Sequence, residues 1–230
     1  GQGAERRFVR GGPVQNADGT QVVPAEATPV DVTVAVATYG DQNWSELALS
    51  RAVPSAEALG VPVVHYHGDT LHGARNAALD MVDSEWVCHL DADDELEPGY
   101  FDAMGHGTAD VRAPSVVYVV DGDPKPPWMP RVSGHMHRCR PQCLTEGNWL
   151  VVGSVARAQL LRDVGGWRDF DWSEDWDLWL RCYLAGASIE AVRSAIYRAH
   201  ARPDSRNRGA DQATKLAAHH AILEANGLAA

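Results

Sequence analysis

Between residues 30 and 90 the chain alternates apolar, β-branched runs with segments of helical period, and this alternation constrains the fold more than any other feature. Val30 to Thr38 (VDVTVAVAT) reads as a buried strand that ends at Tyr39-Gly40-Asp41. Residues 44–59 place Trp44, Leu47, Ala48, Ala52, Ala56 and Leu59 near helical spacing, with Pro54 predicted to kink or restart the helix. Val61 to Tyr66 (VPVVHY) is a second strand and residues 73–83 a second helix. Glu85 to Leu90 (EWVCHL) is a third strand, apolar on both faces except at His89. Strands separated by helices are joined by crossovers that bring them parallel, so the order predicts an α/β fold with a mostly parallel twisted sheet flanked by helices.

Beyond residue 100 the pattern loosens. Ser115 to Val120 (SVVYVV) is a strand, and five prolines (Pro124, Pro126, Pro127, Pro130, Pro141) mark an irregular excursion over 121–147. Trp149 to Val155 reads as a strand running into a short helix that stops at Gly165-Gly166. Over 173–185, Trp176, Trp179, Leu180, Tyr183 and Leu184 follow i, i+3, i+4, i+7, i+8, an amphipathic helix closed by Gly186. Ser188 to Ile196 reads as the last strand, and Asp211 to Asn226 as a helix with Leu216, His220 and Leu223 on one face. The expected organisation is an N-terminal arm (1–29), one domain (30–206, in halves 30–110 and 111–206) and a C-terminal helix (207–230).

With 45% hydrophobic and 22% charged residues, the chain is a globular domain rather than a disordered one. A formal charge of −11 argues against capture of duplex nucleic acid or an anionic membrane. It would also repel phosphates, unless a cation stands between. No stretch approaches the roughly 18–20 apolar residues of a membrane span. The N-terminus lacks the basic-then-apolar pattern of a secretory signal, and four cysteines make no disulfide framework. A cytoplasmic, reduced protein is the expectation.

Four clusters carry candidate chemistry. Asp91-Ala92-Asp93-Asp94 directly follows the third strand, and ligands of open α/β sheets bind beyond the carboxyl ends of the strands. Three carboxylates within four residues repel one another unless they share a cation; Mg²⁺ or Mn²⁺ bridges one or two such groups to phosphates. The plain alternative is an acidic turn that ends a strand. Ser173-Glu174-Asp175-Trp176-Asp177 opens the amphipathic helix, with Ser173 as N-cap and carboxylates favoured by the helix dipole, a pattern that needs no function. Gly73-Ala74-Arg75-Asn76 opens the second helix, where an arginine and free amides either form an anion site or leave the arginine merely solvated. Tyr197-Arg198-Ala199-His200 follows the last strand; its histidine is structural or a ligand.

In this order and spacing the clusters resemble the family 2 glycosyltransferases. The matching pieces are Val34 to Tyr39, Ala74 to Leu79 (ARNAAL), His89 to Asp94 (HLDADD), Val164 to Trp167 (VGGW), Glu174 to Arg181 (EDWDLWLR) and Tyr197 to His200, across roughly residues 30–206. The resemblance implies the A-type fold of nucleotide-diphospho-sugar transferases, with a Rossmann-like nucleotide-binding half. It implies that Thr38 and Tyr39 hold the nucleoside, that Arg75 and Asn76 lie beside the diphosphate, and that Asp91 and Ala92 face the ribose. Asp93, with Asp91 and His200, would hold Mn²⁺ or Mg²⁺, and Asp94 would support them. Asp175 matches the general base and Glu174 its neighbour. Such an enzyme attacks the anomeric carbon in line and inverts it, passing the sugar to a hydroxyl of a glycan, small molecule or protein. For Asp175 two effects oppose: a helix start lowers a carboxylate's pKa, whereas Glu174 and Asp177 raise it.

Two departures stand out. The family carries an acidic pair after the second strand, one member reading the nucleobase; here Asp69, in His65-Tyr66-His67-Gly68-Asp69-Thr70, is the nearest candidate, and a UDP-sugar is the family default. The acceptor side is also short. Trp128, Trp167 and Trp172 are candidates to stack on an acceptor sugar, whereas Trp176 and Trp179 sit on the apolar helix face and read as core. His135, His137, Cys139 and Cys143 either hold a structural Zn²⁺ or form a reduced loop. Rival assignments are a nucleotidyltransferase, which would want a basic Gly-rich loop where Thr38-Tyr39-Gly40-Asp41 stands, and a catalytically silent sugar-nucleotide or glycan-binding module.

Overall fold

The run of β-branched residues at 32–39 forms an interior strand of the sheet in a computed structural model, which describes residues 30–126, 141–201 and 211–228. Strand β1 (Val32–Tyr39) is buried except at Tyr39. It pairs in parallel with β2 (Val63–Gly68) on one side and β3 (Trp86–Leu90) on the other. Being covered on both faces, it is apolar on both.

Residues 43–57 form two helices, α1 (Asn43–Ser50) and α2 (Ala52–Glu57), parted at Arg51. Pro54 has no N–H to give the Ser50 carbonyl, so the helix restarts rather than bends. The break frees Arg51, whose Nη1 donates to the Asp93 carbonyl at 2.9 Å and pins the loop after β3. Helix α3 (Leu71–Asp80) is capped by Thr70, whose hydroxyl accepts the Gly73 N–H at 3.2 Å. It begins two residues earlier than its apolar spacing predicts, so Arg75 lies past the first turn instead of at an open N-terminus.

The second half supplies β4 (Glu95–Leu96), α4 (Tyr100–Gly105), β5 (Val111–Val120), β6 (Asp123–Pro124), β7 (Val155–Arg157), α5 (Ala158–Asp163), α6 (Glu174–Leu184), β8 (Ile189–Ala201) and α7 (Gln212–Ala225). The strand order is β2-β1-β3-β7-β5-β8-β4, with β6 paired to β5. The long strands β1, β2, β3, β5 and β8 share one direction, and the short β4, β6 and β7 run against them. The sheet is therefore mixed, because short antiparallel strands need no crossover helix.

Three expectations shift. Trp149–Ser154 is not a strand: the Asn148 side chain accepts the Leu150 N–H, and Ser154 bonds the Val151 carbonyl through both N–H and hydroxyl, replacing the ladder locally. Strand β8 continues to Ala201, so Tyr197–His200 lies within it rather than after it. An irregularity pairs Pro114 with Val192 but Ser115 with Ile196, and this sets Val119 opposite His200. In α7 it is Ile222 that is buried, while Leu216 is 57% exposed, so the inward face is turned from the one expected. Gly153 allows the Tyr197 ring to close on the backbone; a Cβ there would lie 2.2 Å from it. Among the described residues no helix is long and apolar enough to cross a membrane.

Candidate active site

Strands β1, β2 and β3 end at one edge of the sheet, and Asp91–Asp94 leaves β3 there. Beside it opens a cleft of about 840 Å³. Its walls include Asp91, Asp93 and Asp94, Tyr118 of β5, Asn148, Trp172, Glu174 and Asp175 at the start of α6, Tyr197 and His200 of β8, and Lys215 and His219 of α7.

Ser173 stands at the N-cap of α6 but makes no side-chain cap; its backbone is left-handed (φ 56°). For a non-glycine residue that conformation is strained. Its carbonyl accepts the Asp177 N–H, while the Asp175 carboxylate receives the Trp176 N–H at 2.9 Å and the Asn148 amide at 2.9 Å. Burial, followed by the charge of Glu174, raises the Asp175 carboxyl to about 7, against the opposing pull of Arg75 and these two hydrogen bonds. Desolvation outweighs the helix dipole here.

Arg75 is 4% exposed. Its Nη1 reaches Glu174 at 2.7 Å and its Nη2 reaches Asp91 at 2.8 Å, with the guanidinium 4.3 Å from the Trp167 ring centre. Burial alone would lower its pKa, but the two carboxylates hold it well above the usual range. Arg75 thus joins the loop after β3 to the start of α6 while lining the cleft.

Asp94 is buried, and its carboxylate accepts the Tyr197 hydroxyl at 2.6 Å and the His200 N–H at 2.8 Å. Burial, then the charges of Asp93 and Asp91, push its carboxyl well above the ordinary range. That crowding is the field a cation relieves. Asp91 and Asp93, both facing the cleft, fit the one or two carboxylates a hard divalent ion takes when phosphate oxygens complete its shell. His200 departs from the expected set: its Nε2 lies 2.6 Å from Glu95 Oε2. Among the described residues no three His, Cys, Asp or Glu side chains converge as a metal site.

At the strand ends, Thr38 is 2% exposed and its hydroxyl lies 3.0 Å from both His65 Nε2 and His67 Nδ1. Tyr39 and Asp69 are exposed and Ala92 is buried; neither Thr38, Tyr39, Asp69 nor Ala92 lines the cleft. Asn76 clamps the chain at Trp167, donating to its carbonyl at 2.9 Å and accepting its N–H at 2.7 Å. Gly166 permits the approach: a Cβ would lie 2.4 Å from Asn76 Oδ1.

Of the acceptor candidates, Trp167 is 2% exposed, with its indole N–H on His89 Nε2 at 3.2 Å, so it has no face to offer a sugar. Trp172 lines the cleft, and Trp128 lies outside the described residues. Trp176 and Trp179 are core, as their helical spacing predicts. Of the zinc candidates, His135, His137 and Cys139 fall outside the described residues, and Cys143 is buried. Sequence reasoning missed Asn148, Lys215 and His219; no period or motif marks them.

A cleft at the carboxyl ends of parallel strands, with an acidic loop, a buried carboxylate and flanking helices, is the ligand-binding arrangement of an α/β protein. The family model described as glycosyl transferase family group 2 matches residues 86–208, more than half of the chain, and the chain belongs to that family. Solved structures agree on the fold. S. aureus TarS 1-349 in complex with UDP-GlcNAc is similar at 18% identity over 79% of this chain, with a TM-score of 0.55. TarS 1-349 alone is 16% identical over 74% (TM-score 0.54), and TarS is 16% identical over 84% (TM-score 0.53). The chain spans 62%, 60% and 43% of those proteins. No curated protein sequence matches it.

Proposed function

We propose that the chain is an inverting, metal-dependent glycosyltransferase that moves a sugar from a nucleotide-diphospho-sugar, UDP-linked by family default, to a hydroxyl acceptor. Asp175 carries the proposal: a recessed carboxyl with a pKa near 7, held at both oxygens and opening on a cleft that also bears Asp91 and Asp93. It takes the acceptor proton as that oxygen attacks the anomeric carbon from the side opposite the diphosphate, whose bond to the sugar breaks. Glu174, held by Arg75, positions the turn that carries Asp175. Asp91 and Asp93 would hold Mn²⁺ or Mg²⁺, which when bound neutralises charge on the leaving diphosphate. Thr38, Tyr39 and Asp69 are assigned to the nucleoside side and Trp172 to the acceptor. Family membership and the fold shared with a protein crystallised with UDP-GlcNAc support the donor class.

The test is Asp175→Asn. Transfer is expected to fall by about 10²–10⁴, while calorimetric binding of UDP with Mn²⁺ stays unchanged. Loss of binding instead makes Asp175 structural, and a wild type that binds no nucleotide sugar with Mn²⁺ overturns the assignment.

A further inference from the structure

Helix α7 lies beyond the stretch that the family model matches, yet it forms one wall of the cleft. Asp211 fixes its start by accepting the Thr214 N–H at 2.7 Å. Positions 215, 219, 222 and 226 follow at i, i+4, i+7 and i+11, one stripe facing α6. Three members of the stripe are anchored. His219 packs on the Trp176 ring at 4.4 Å between centroids, Ile222 is fully buried, and the Asn226 amide donates to Asp177 at 2.9 Å. With the helix rotation fixed in this way, the fourth member, Lys215, is delivered to the cleft wall.

The charge inventory gives Lys215 its meaning. The cleft holds five carboxylates, on Asp91, Asp93, Asp94, Glu174 and Asp175. Arg75 is already bonded to two of them, and His200 is engaged by Glu95. Burial, then neighbouring His220, lowers the His219 pKa and so disfavours its charged form. Lys215 is exposed and, among the described residues, forms no ion pair. A lysine brought to an acidic cleft without a carboxylate partner is placed for an incoming anion.

We propose that Lys215 is an anion-binding residue of this cleft and takes a phosphate oxygen of the ligand bound there. The inference rests on the assignment of the cleft to a phosphorylated donor, and the phosphate belongs either to that donor or to the acceptor. Full-length wild type, Lys215→Met and Lys215→Arg are titrated with UDP, with uridine, and with inorganic phosphate in the presence of saturating uridine. If the contact is to the donor, Lys215→Met weakens UDP by about tenfold or more, leaves uridine unchanged, and Lys215→Arg restores most of the loss. If it is to the acceptor, UDP is unaffected and inorganic phosphate binding is lost in Lys215→Met alone. Equal binding of both anions by wild type and Lys215→Met overturns the inference and leaves the donor assignment standing. Lys215-dependent phosphate binding by a wild type that ignores UDP does the reverse, and a wild type that binds neither overturns both.

Discussion

Helix α6 carries three carboxylates in its first turn, and two of them, Asp175 and Asp177, stand in opposite electrostatic settings. Asp177 is fully buried and met by Arg181 at 2.8 Å, Arg168 at 3.5 Å and the Asn226 amide at 2.9 Å. Asp175 faces the cleft and receives only neutral donors, from Asn148 and Trp176. Among the described residues the cation that acts on it, Arg75, is bonded to Glu174 and Asp91. Residues in the same turn thus differ because of partners drawn from distant parts of the chain. A carboxylate surrounded by cations becomes a structural tie; one left with burial and a like-charged neighbour becomes a proton acceptor near neutral pH.

The largest effect is expected from breaking the structural member of the pair. Asp177→Ala leaves two guanidiniums facing a void and unties Asn226, so it should destabilise the fold by about 3–5 kcal/mol in urea denaturation. The midpoint of the pH–rate profile should stay where it is. A shift of that midpoint would mean that the two carboxylates are one coupled unit and that the contrast drawn between them is wrong.

The next effect is the pH dependence itself. Asp175 accepts a proton only when ionised, so transfer should rise with pH through about 7 and be lost below it. Stability runs the other way. The folded-state pKa lies above the ordinary carboxylate value of 3.8, so the native state binds this proton more tightly than the unfolded chain does. The Asp175 contribution is fully present below about pH 4 and is lost as pH rises through about 7. Asp175→Asn, which cannot titrate, should flatten the decline in Tm over that window. An identical Tm–pH curve for both proteins would remove the raised pKa from the account.

How much of this contrast was legible in the sequence follows from which forces are local. Strands β1 and β3, the acidic loop after β3 and the amphipathic face of α6 announce themselves because periodicity and β-branched runs act over neighbouring residues. Arg75, Asn76 and Trp167 do not. Their motif positions were visible, but the Arg75 bridge to Glu174 and the Asn76 clamp on Trp167 join segments about ninety to a hundred residues apart, and no local pattern encodes such a partner. The same limit explains Asn148. It sits just before the apolar run that suggested a strand, and its side chain both accepts the Leu150 N–H and donates to Asp175. The exposed Leu216 likewise shows that α7 was rotated by long-range anchors at Trp176 and Asp177, not by its own amphipathicity.

Asn148 therefore offers a finer cut. Its amide stabilises the ionised form of Asp175. Asn148→Ala should move the midpoint of the pH–rate profile upward by about one unit, which is about fivefold in rate at neutral pH and recoverable at higher pH. A loss that alkaline buffer does not restore would assign Asn148 to substrate contact instead.

The smallest effect separates Trp167 and Trp172, two of the three tryptophans that the sequence placed together at the acceptor side. Trp167 is sealed beneath Arg75 at 2% exposure, whereas Trp172 lines the cleft beside Ser173. An indole on a cleft wall contributes to a sugar acceptor mainly by stacking, about 0.5–1.5 kcal/mol. Trp172→Ala should accordingly raise the acceptor KM by about two- to tenfold, with kcat, donor binding and Tm close to wild type. Trp167→Ala should instead lower Tm sharply, because it removes the ring that packs against Arg75 and His89. If Trp172→Ala reduces kcat at saturating acceptor as well, its ring helps to position the strained Ser173 turn, and with it Asp175, rather than the sugar.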